Sequence, residues 1–540
     1  MKKLFYIILP TLLMTSCESE LDGRHYDPDG FTEARIEYLY TSGLSKSLET
    51  SYGDYYSYIF RALCTYTQTL SRQSGDSRMN TYRVESDWGK WENHYITKMK
   101  EIAEINKIYD NELSTEEQEL YAPFMKTIDV IKAYNVAMAS DFFGDMPYSE
   151  AWGARNGIHG ATADFTAKYD SQKDIYYSIL EDLKNSVSYF KTASLQNIAL
   201  HTTTFKKQDI LFGGDFAKWS KFANSLRLRY AMRISNVDEN KAKEVLSDIQ
   251  LSDLITSNAD NAYIYMRNVT NTAIWRGIIE SHRTSNGYYV YAPDMMVELL
   301  TAANDPRLRV FFQPASDDNG VVIGNITDQI VPYPACADEA IAITAQSSTQ
   351  DIRNKYSIVN SVTYRNNYKL PTGVAMTAAD VYFCLAEARL RNLTTQGSVE
   401  DYYNKGVIAS VQEYFNYYKN STDTPNAGIA ATDVSETALL AWLNNSTFKY
   451  NQSRALELIA TQKWMNFGIL QPFECWAEYR RLDLPVLKND TENGTILNGS
   501  NAPVRLVIPT SEMTLNGENY KAVADKNYSN SLIWWDTKKP

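Results

Sequence analysis

Capped segments with helical apolar periodicity constrain this chain more than any other feature. Ser114-x-x-Glu117 has the form of a capping box: the serine hydroxyl accepts from a backbone N–H three residues on, and the glutamate reaches back. Leu120, Phe124, Ile128, Ile131 and Met138 then recur at spacings that put them on one helical face. This predicts a helix that stops near Gly144, where glycine can take the left-handed conformation and Pro147 prevents a restart. Asp215 reads as a second N-cap, followed by the stripe Trp219, Phe222, Leu226, Tyr230 and Ile234. Lys218, Lys221, Arg227 and Arg233 occupy other positions of that helix and read as a solvated or salt-bridged face. Residues 52–70, 91–109 and 175–190 carry the same periodicity. Helices resume after Thr377, after Gly397-Ser398, and around Leu456 to Phe467 and Phe473 to Tyr479. The expected class is mainly α. Helices joined by short turns point to a helical-repeat scaffold, although the sequence shows no clean 34-residue period.

Residues 236–376 have a different character. Asn304-Asp305-Pro306, Ser316-Asp317-Asp318-Asn319-Gly320, Pro332-Tyr333-Pro334 and Leu370-Pro371-Thr372-Gly373 punctuate the stretch. Turn-forming residues at this density predict a loop-rich region with a few short strands. Long loops inside a compact domain usually carry function.

The N-terminus reads as an export signal. Lys2 and Lys3 precede an apolar run from Leu4 to Leu13, too short to span a bilayer, and Leu13-Met14-Thr15-Ser16-Cys17 resembles a lipoprotein box. Cys17 is then expected to carry a diacylglyceryl group and to begin the mature chain. Glu18, Glu20 and Asp22 follow, as in export signals for surface lipoproteins. The other four cysteines form no C-x-x-C pair, and Cys384 reads as a small core residue. A net charge of −12 argues against nucleic acid as the main partner, because phosphate binding needs clustered Lys and Arg.

Several segments together resemble the SusD/RagB family of outer-membrane nutrient-binding lipoproteins. They are Asp141-Phe-Phe-Gly-Asp-Met-Pro-Tyr-Ser-Glu-Ala-Trp152, Lys218 to Ile234, Leu385-Ala-Glu-Ala-Arg389 with Tyr402 to Ser410, Ile459 to Trp464 with Glu474 to Arg481, and Arg505 to Glu512. Asn519-Tyr520 and Trp534-Trp535-Asp536 complete the set. The nearest branch is the one sharing Phe-Gly-Asp-x-Pro-Tyr-Ser-Glu-Ala. The resemblance implies a right-handed superhelix of tetratricopeptide-like helix pairs with an inserted irregular lobe that carries the ligand site. It implies a glycan or peptide ligand, a SusC-like TonB-dependent transporter as partner, and no catalytic residues or cofactor. The expected layout is a signal peptide (1–16), a lipidated tether (17–30) and one domain (31–540). Within that domain the scaffold covers 31–235 and 377–485, the loop-rich lobe about 236–376, and an extended C-terminal segment 486–540. The matching motifs read as structural; Arg480 and Arg481, for example, follow Glu474 and Glu478 and are expected to form ion pairs within or between helices.

A sugar ring needs a flat aromatic platform for its C–H face and polar side chains for its hydroxyls. Aromatics make up 13% of the chain, with 39 Tyr and 10 Trp, so the residue types for such a site are plentiful. Two stretches mix them with polar groups outside the main helical stripes. One holds Trp275, Arg276, His282, Arg283, Asn286, Tyr288, Tyr289 and Tyr291; the other holds Arg72, Gln73, Asp76, Arg78, Asn80, Tyr82, Trp88 and Trp91. Trp275, Tyr288, Tyr289, Arg78 and Trp88 are the leading candidates, each weighed against simple core packing, with Tyr333 as a weaker one. No H-E-x-x-H, G-x-S-x-G, P-loop or G-x-G-x-x-G motif occurs, and the five histidines lack metal-ligand spacing. Asp317-Asp318-Asn319-Gly320 lacks the full spacing of a calcium loop and reads as a solvated turn. Import of oligosaccharides is the leading reading and oligopeptide binding the alternative. A surface hydrolase would need paired carboxylates in a cleft, which spacing alone does not show.

Overall fold

The computed structural model describes residues 35–48, 50, 52–72, 87–153, 166–193, 202–265, 290–315, 329–335, 337–364, 370–421, 425–488 and 502–537. Long helices form the body: α1 (Ile36–Leu48), α2 (Lys100–Asn111), α3 (Thr115–Phe143), α4 (Gln172–Thr192), α5 (Phe216–Ile234), α6 (Glu239–Ser247), α7 (Ala378–Leu390), α8 (Val399–Lys419), α9 (Ala455–Phe467) and α10 (Pro472–Leu482). Most begin at a polar cap. Ser114 Oγ accepts from Glu117 N at 3.3 Å while the Glu117 carboxylate accepts from Ser114 N at 2.8 Å, the predicted box. Asp215, Ser171, Thr377 and Ser398 cap α5, α4, α7 and α8 in the same way. Each cap satisfies an otherwise orphaned N–H and is worth about 1 kcal/mol. Helix α3 ends at Gly144, whose φ of 73° only glycine takes without strain.

Sequential packing builds the scaffold. Helix α1 lies on α2 and α3, α3 on α4, α4 on α5, α5 on α6 and α7, α7 on α8 and α9, and α9 on α10. The architecture is the mainly α, tetratricopeptide-like arrangement expected from the sequence. One apolar core runs through it from Ile36 to Trp535.

Lys218 and Lys221 at the start of α5 are partly exposed and lie against Asp260, as a salt-bridged face would, but further along the helix is enclosed and its arginines meet acids rather than water. Arg229 bonds Asp380 through Nε at 2.9 Å. Arg233, fully buried, pairs with Asp141, with Glu474 at 2.6 Å and with Glu478 at 3.4 Å. Lys463 reaches Glu478 at 2.6 Å, and Arg481 reaches Glu387 at 2.7 Å. Burial opposes the charge on Glu478, yet Arg481, Lys463 and Arg233 hold its carboxyl well below the usual carboxylate range. The expected ion pairs therefore form for Arg481. Arg480 behaves differently: it stacks 3.8 Å from the Trp476 ring and donates to the carbonyls of Asp141 and Val504. Burial brings its pKa down to about 10. Cys384 is buried as expected, but its Sγ lies 3.5 Å from Lys463 Nζ and 3.6 Å from Asp380, inside this polar network.

Three features depart from the sequence reading. Residues Tyr55–Leu63 and Asn93–Lys98 are π-helical, a geometry common near functional sites. The region read as loop-rich holds the expected short strands, most of two small sheets, but also α6 and the helices Asp294–Ala302 and Ala337–Gln346. The strands of the two sheets are β1 (Ser71–Arg72), β2 (Ala262–Tyr265), β3 (Val290–Tyr291), β4 (Phe312–Gln313), β5 (Ile358–Val359) and β6 (Pro371–Met376). One sheet has the order β1-β3-β5-β4, and β2 pairs with β6. Residues 502–537, expected to be extended, instead hold the short helices Thr510–Leu515 and Gly517–Tyr520 and seat Trp535 in the core.

Candidate functional site

The four-stranded sheet joins parts of the chain that lie far apart in sequence. Strands β1 and β3 are antiparallel, with Ser71 opposite Tyr291 and Arg72 opposite Val290. Strand β5 flanks β3, and β4 closes the order. A small second core backs this sheet, made of Tyr291, Tyr333, Ile352, Tyr356 and Ile358. The Tyr333 ring stacks on Tyr291 at 4.9 Å and meets Tyr356 edge-on at 4.9 Å. Ser71 Oγ donates to the Tyr333 carbonyl at 2.8 Å, locking β1 to this cluster. Nearby, Lys488 pairs with Asp294, and its carbonyl accepts from Gln68 Nε2.

This geometry sorts the candidate residues. Tyr291 and Tyr333 are fully buried, so they are struts beneath the sheet and offer no exposed face. Trp91 is also core, edge-on to Phe143 at 5.0 Å. Arg78, Trp275, Tyr288 and Tyr289 lie outside the described residues. The stretches that carry them nevertheless join the described structure at facing positions, because residue 73 follows Arg72 and residue 289 precedes Val290.

Trp88 is described, and its surroundings are unusual. Its φ is 52°, uncommon for a bulky side chain. Asp87 holds the turn by accepting from Gly89 N and Trp91 N at 3.2 and 3.1 Å. The half-buried indole lies 5.6 Å from the Tyr58 ring, and its N–H has no acceptor among the described residues. The Tyr58 hydroxyl is likewise unpaired there. Buried polar atoms without partners are rare and costly, by about 1–3 kcal/mol each.

Beside Tyr58, the Lys90 ammonium lies 5.0 Å above its ring and pairs with Asp54. Lys90 and Asp54 line a cavity of about 20 Å³ together with His94, Asn135 and Phe142. That space holds one or two waters. Asn135 Nδ2 donates to the Ile131 carbonyl at 2.9 Å, while its Oδ1 has no partner among the described residues. Burial, reinforced by Lys98, lowers the His94 pKa to about 3, so the ring is neutral. The sequence reading noted His94 only for its lack of metal spacing. Its place in the helical periodicity after Trp91 was the available sign that it faces inward.

The buried carboxylates of Asp141, Asp380 and Glu387 are tied to arginine, and among the described residues no group of three or more His, Cys, Asp or Glu is placed to hold a metal ion. No helix among the described residues is long and apolar enough to cross a membrane.

Comparison with known proteins agrees with the architecture. A SusD-like family model, described as starch-binding associating with outer membrane, matches residues 34–509. Among solved structures, a chitin-binding protein is 23% identical with a TM-score of 0.70, covering 93% of this chain and 100% of its own. A Bacteroidetes AC2a SusD-like protein is 23% identical at 0.71, covering 94% and 100%. A SusD homologue from Bacteroides fragilis is 22% identical at 0.70, covering 93% and 99%. At these identities the likeness establishes the fold. No curated protein matches the chain. The family is one of binding proteins rather than enzymes. By the span of that family match, the chain belongs to the SusD-like family of starch-binding proteins that associate with the outer membrane.

Proposed function

We propose that this protein is a cell-surface lipoprotein, anchored by lipid on Cys17, that binds oligosaccharides and delivers them to a SusC-like TonB-dependent transporter. The ligand is taken by the stretches 73–91 and 275–291, through Trp275, Tyr288, Tyr289, Arg78 and Trp88. The observation that supports this reading is the pairing of Arg72 with Val290, the described residues from which the two aromatic and polar stretches continue. Two segments that start from facing strand residues can close on one ligand from two sides, aromatic faces supplying area and polar groups supplying selectivity. The chitin-binding neighbour and the starch-binding description of the family support a glycan as the ligand class.

Calorimetric titration of the mature chain with panels of oligosaccharides and oligopeptides tests the reading. The expected result is saturable heat with at least one oligosaccharide, no increase in reducing ends, and a loss of roughly tenfold or more in affinity for Trp275→Ala, as for removal of an aromatic anchor. Heat with peptides alone would leave the family assignment intact and remove the glycan.

A further inference from the structure

A second cleft lies away from the β1–β3 junction, between one face of α2 and the turn at residues 149–153. Its volume is about 200 Å³, on the scale of one sugar ring. On α2 the lining positions are Ala103, Asn106, Lys107, Asp110 and Asn111. These fall at helical spacing and form one continuous stripe. Ile102, Ile105 and Ile108 are buried on the other side of the helix. Ala103 is small, and this leaves space at one end of the stripe. Across the cleft stands Trp152.

The Trp152 ring is held in place. Its φ is 64°, a left-handed conformation that costs a bulky residue on the order of 1 kcal/mol or more and persists where the surroundings enforce it. The ring packs 5.5 Å from Tyr95, and its N–H points to the Tyr95 carbonyl at 3.4 Å. The turn before it is fixed by Asp170, which accepts from Tyr148 N and Ser149 N at 3.0 and 2.7 Å.

The polar groups opposite Trp152 are engaged to different degrees. The Asn106 amide and the Asp110 carboxylate make no hydrogen bond among the described residues, and Asp129 and Lys132 act on Asp110 only through space, while Asn111 Nδ2 donates to the Lys107 carbonyl at 3.2 Å. Lys107 is shared loosely between Glu104 at 3.9 Å and Glu112 at 3.5 Å, and Glu150 is neutralised by Lys168 at 3.0 Å. A fixed aromatic ring therefore opposes an amide and a carboxylate, Asn106 and Asp110, that make no hydrogen bond among the described residues. No cation in the cleft is left uncompensated, so the chemistry disfavours phosphate or an acidic sugar and suits a neutral polyol ring.

We propose that this cleft is a second saccharide site, taking one neutral pyranose unit against Trp152 with Asn106 and Asp110 pairing its hydroxyls. It rests on the glycan-binding reading above and adds a contact remote in sequence from the stretches assigned there. Two weak sites on one chain raise retention on a polymer more than affinity for a short oligomer.

The test is affinity electrophoresis of the mature chain through gels containing amylopectin, glycol chitin, xyloglucan or mannan. Neither side chain makes a hydrogen bond among the described residues, so the Asn106→Ala/Asp110→Ala variant is expected to keep its fold, checked by its melting curve. The wild type is expected to be retarded in at least one gel. The double variant should lose affinity about three- to tenfold, and Trp152→Leu should match it. Trp275→Ala should leave residual retardation that disappears when the double substitution is added. Retardation of the double variant equal to wild type would overturn the second site and leave the glycan-binding reading standing. A wild type retarded in none of the gels and silent toward every oligosaccharide would overturn both.

Discussion

Asp141 ties four parts of the molecule together. Its carboxylate accepts from Tyr176 and Trp535 at 2.6 Å each and pairs with Arg233, while its carbonyl accepts from Arg480. Removing it leaves a fully buried guanidinium without one of its counter-charges. Asp141→Ala should therefore cost about 3–5 kcal/mol, the scale for breaking a buried pair, read as a lower urea midpoint. A fall under 1 kcal/mol would mean that Glu474 and Glu478 alone satisfy Arg233. His94 gives a second residue-scale prediction. Burial and Lys98 lower its folded pKa to about 3 from the usual 6.5, so the unfolded chain takes up the proton first on acidification. The stability contributed by its neutral form is complete above pH 6.5 and is lost as pH falls toward 3. At pH 4.5 the loss from this group is roughly 2–3 kcal/mol. Urea unfolding at pH 7 and 4.5 should show that increment in the wild type and not in His94→Asn. An identical pH dependence in both proteins would place the titration elsewhere.

At the scale of elements, the packing of α7 on α8 depends on one glycine. Gly406 lies within α8 against Phe383 of α7, and a Cβ there would sit 2.6 Å from the buried Phe383 ring. Gly406→Ala must push α7 and α8 apart and should cost about 1–3 kcal/mol, measured by thermal unfolding, instead of the small gain alanine brings to an open helix position. What could be read in the sequence was local. Ser114, Asp215, Thr377 and Ser398 announced their helices because a cap acts within three residues of itself. Gly144 announced the end of α3 for the same reason. The enclosure of Arg233 was not legible, since its partners come from α3 and α10, and a basic stripe looks alike on an exposed helix and an enclosed one. The π-helical turns at 55–63 and 93–98 were hidden because apolar spacing over so few residues fits either geometry. Strands β1 and β3 were hidden because two-residue strands carry no alternation. The sequence did single out the stretches on either side of that pairing by their mix of rings and polar groups. It overvalued Tyr291 and Tyr333, whose burial follows only from the sheet they support, and it missed the free face of α2 opposite Trp152.

At the scale of the whole molecule, an ion-paired helical scaffold carries a sheet in which β1 pairs with β3, and a second cleft lies on α2. The lipid anchor proposed at Cys17 makes its own prediction: Cys17→Ser should release the protein from the membrane fraction and abolish incorporation of an alkyne-labelled fatty acid. Label retained by the variant would remove Cys17 as the anchor. The division between inert scaffold and binding segments is tested most directly by hydrogen exchange of the mature chain, with and without the oligosaccharide that binds best. Slowed exchange should be confined to 73–91, 275–291 and the 103–111 and 149–153 faces of the cleft, with α4, α5, α7 and α10 unchanged. Protection centred on those four helices, with none in the named segments, would contradict the account.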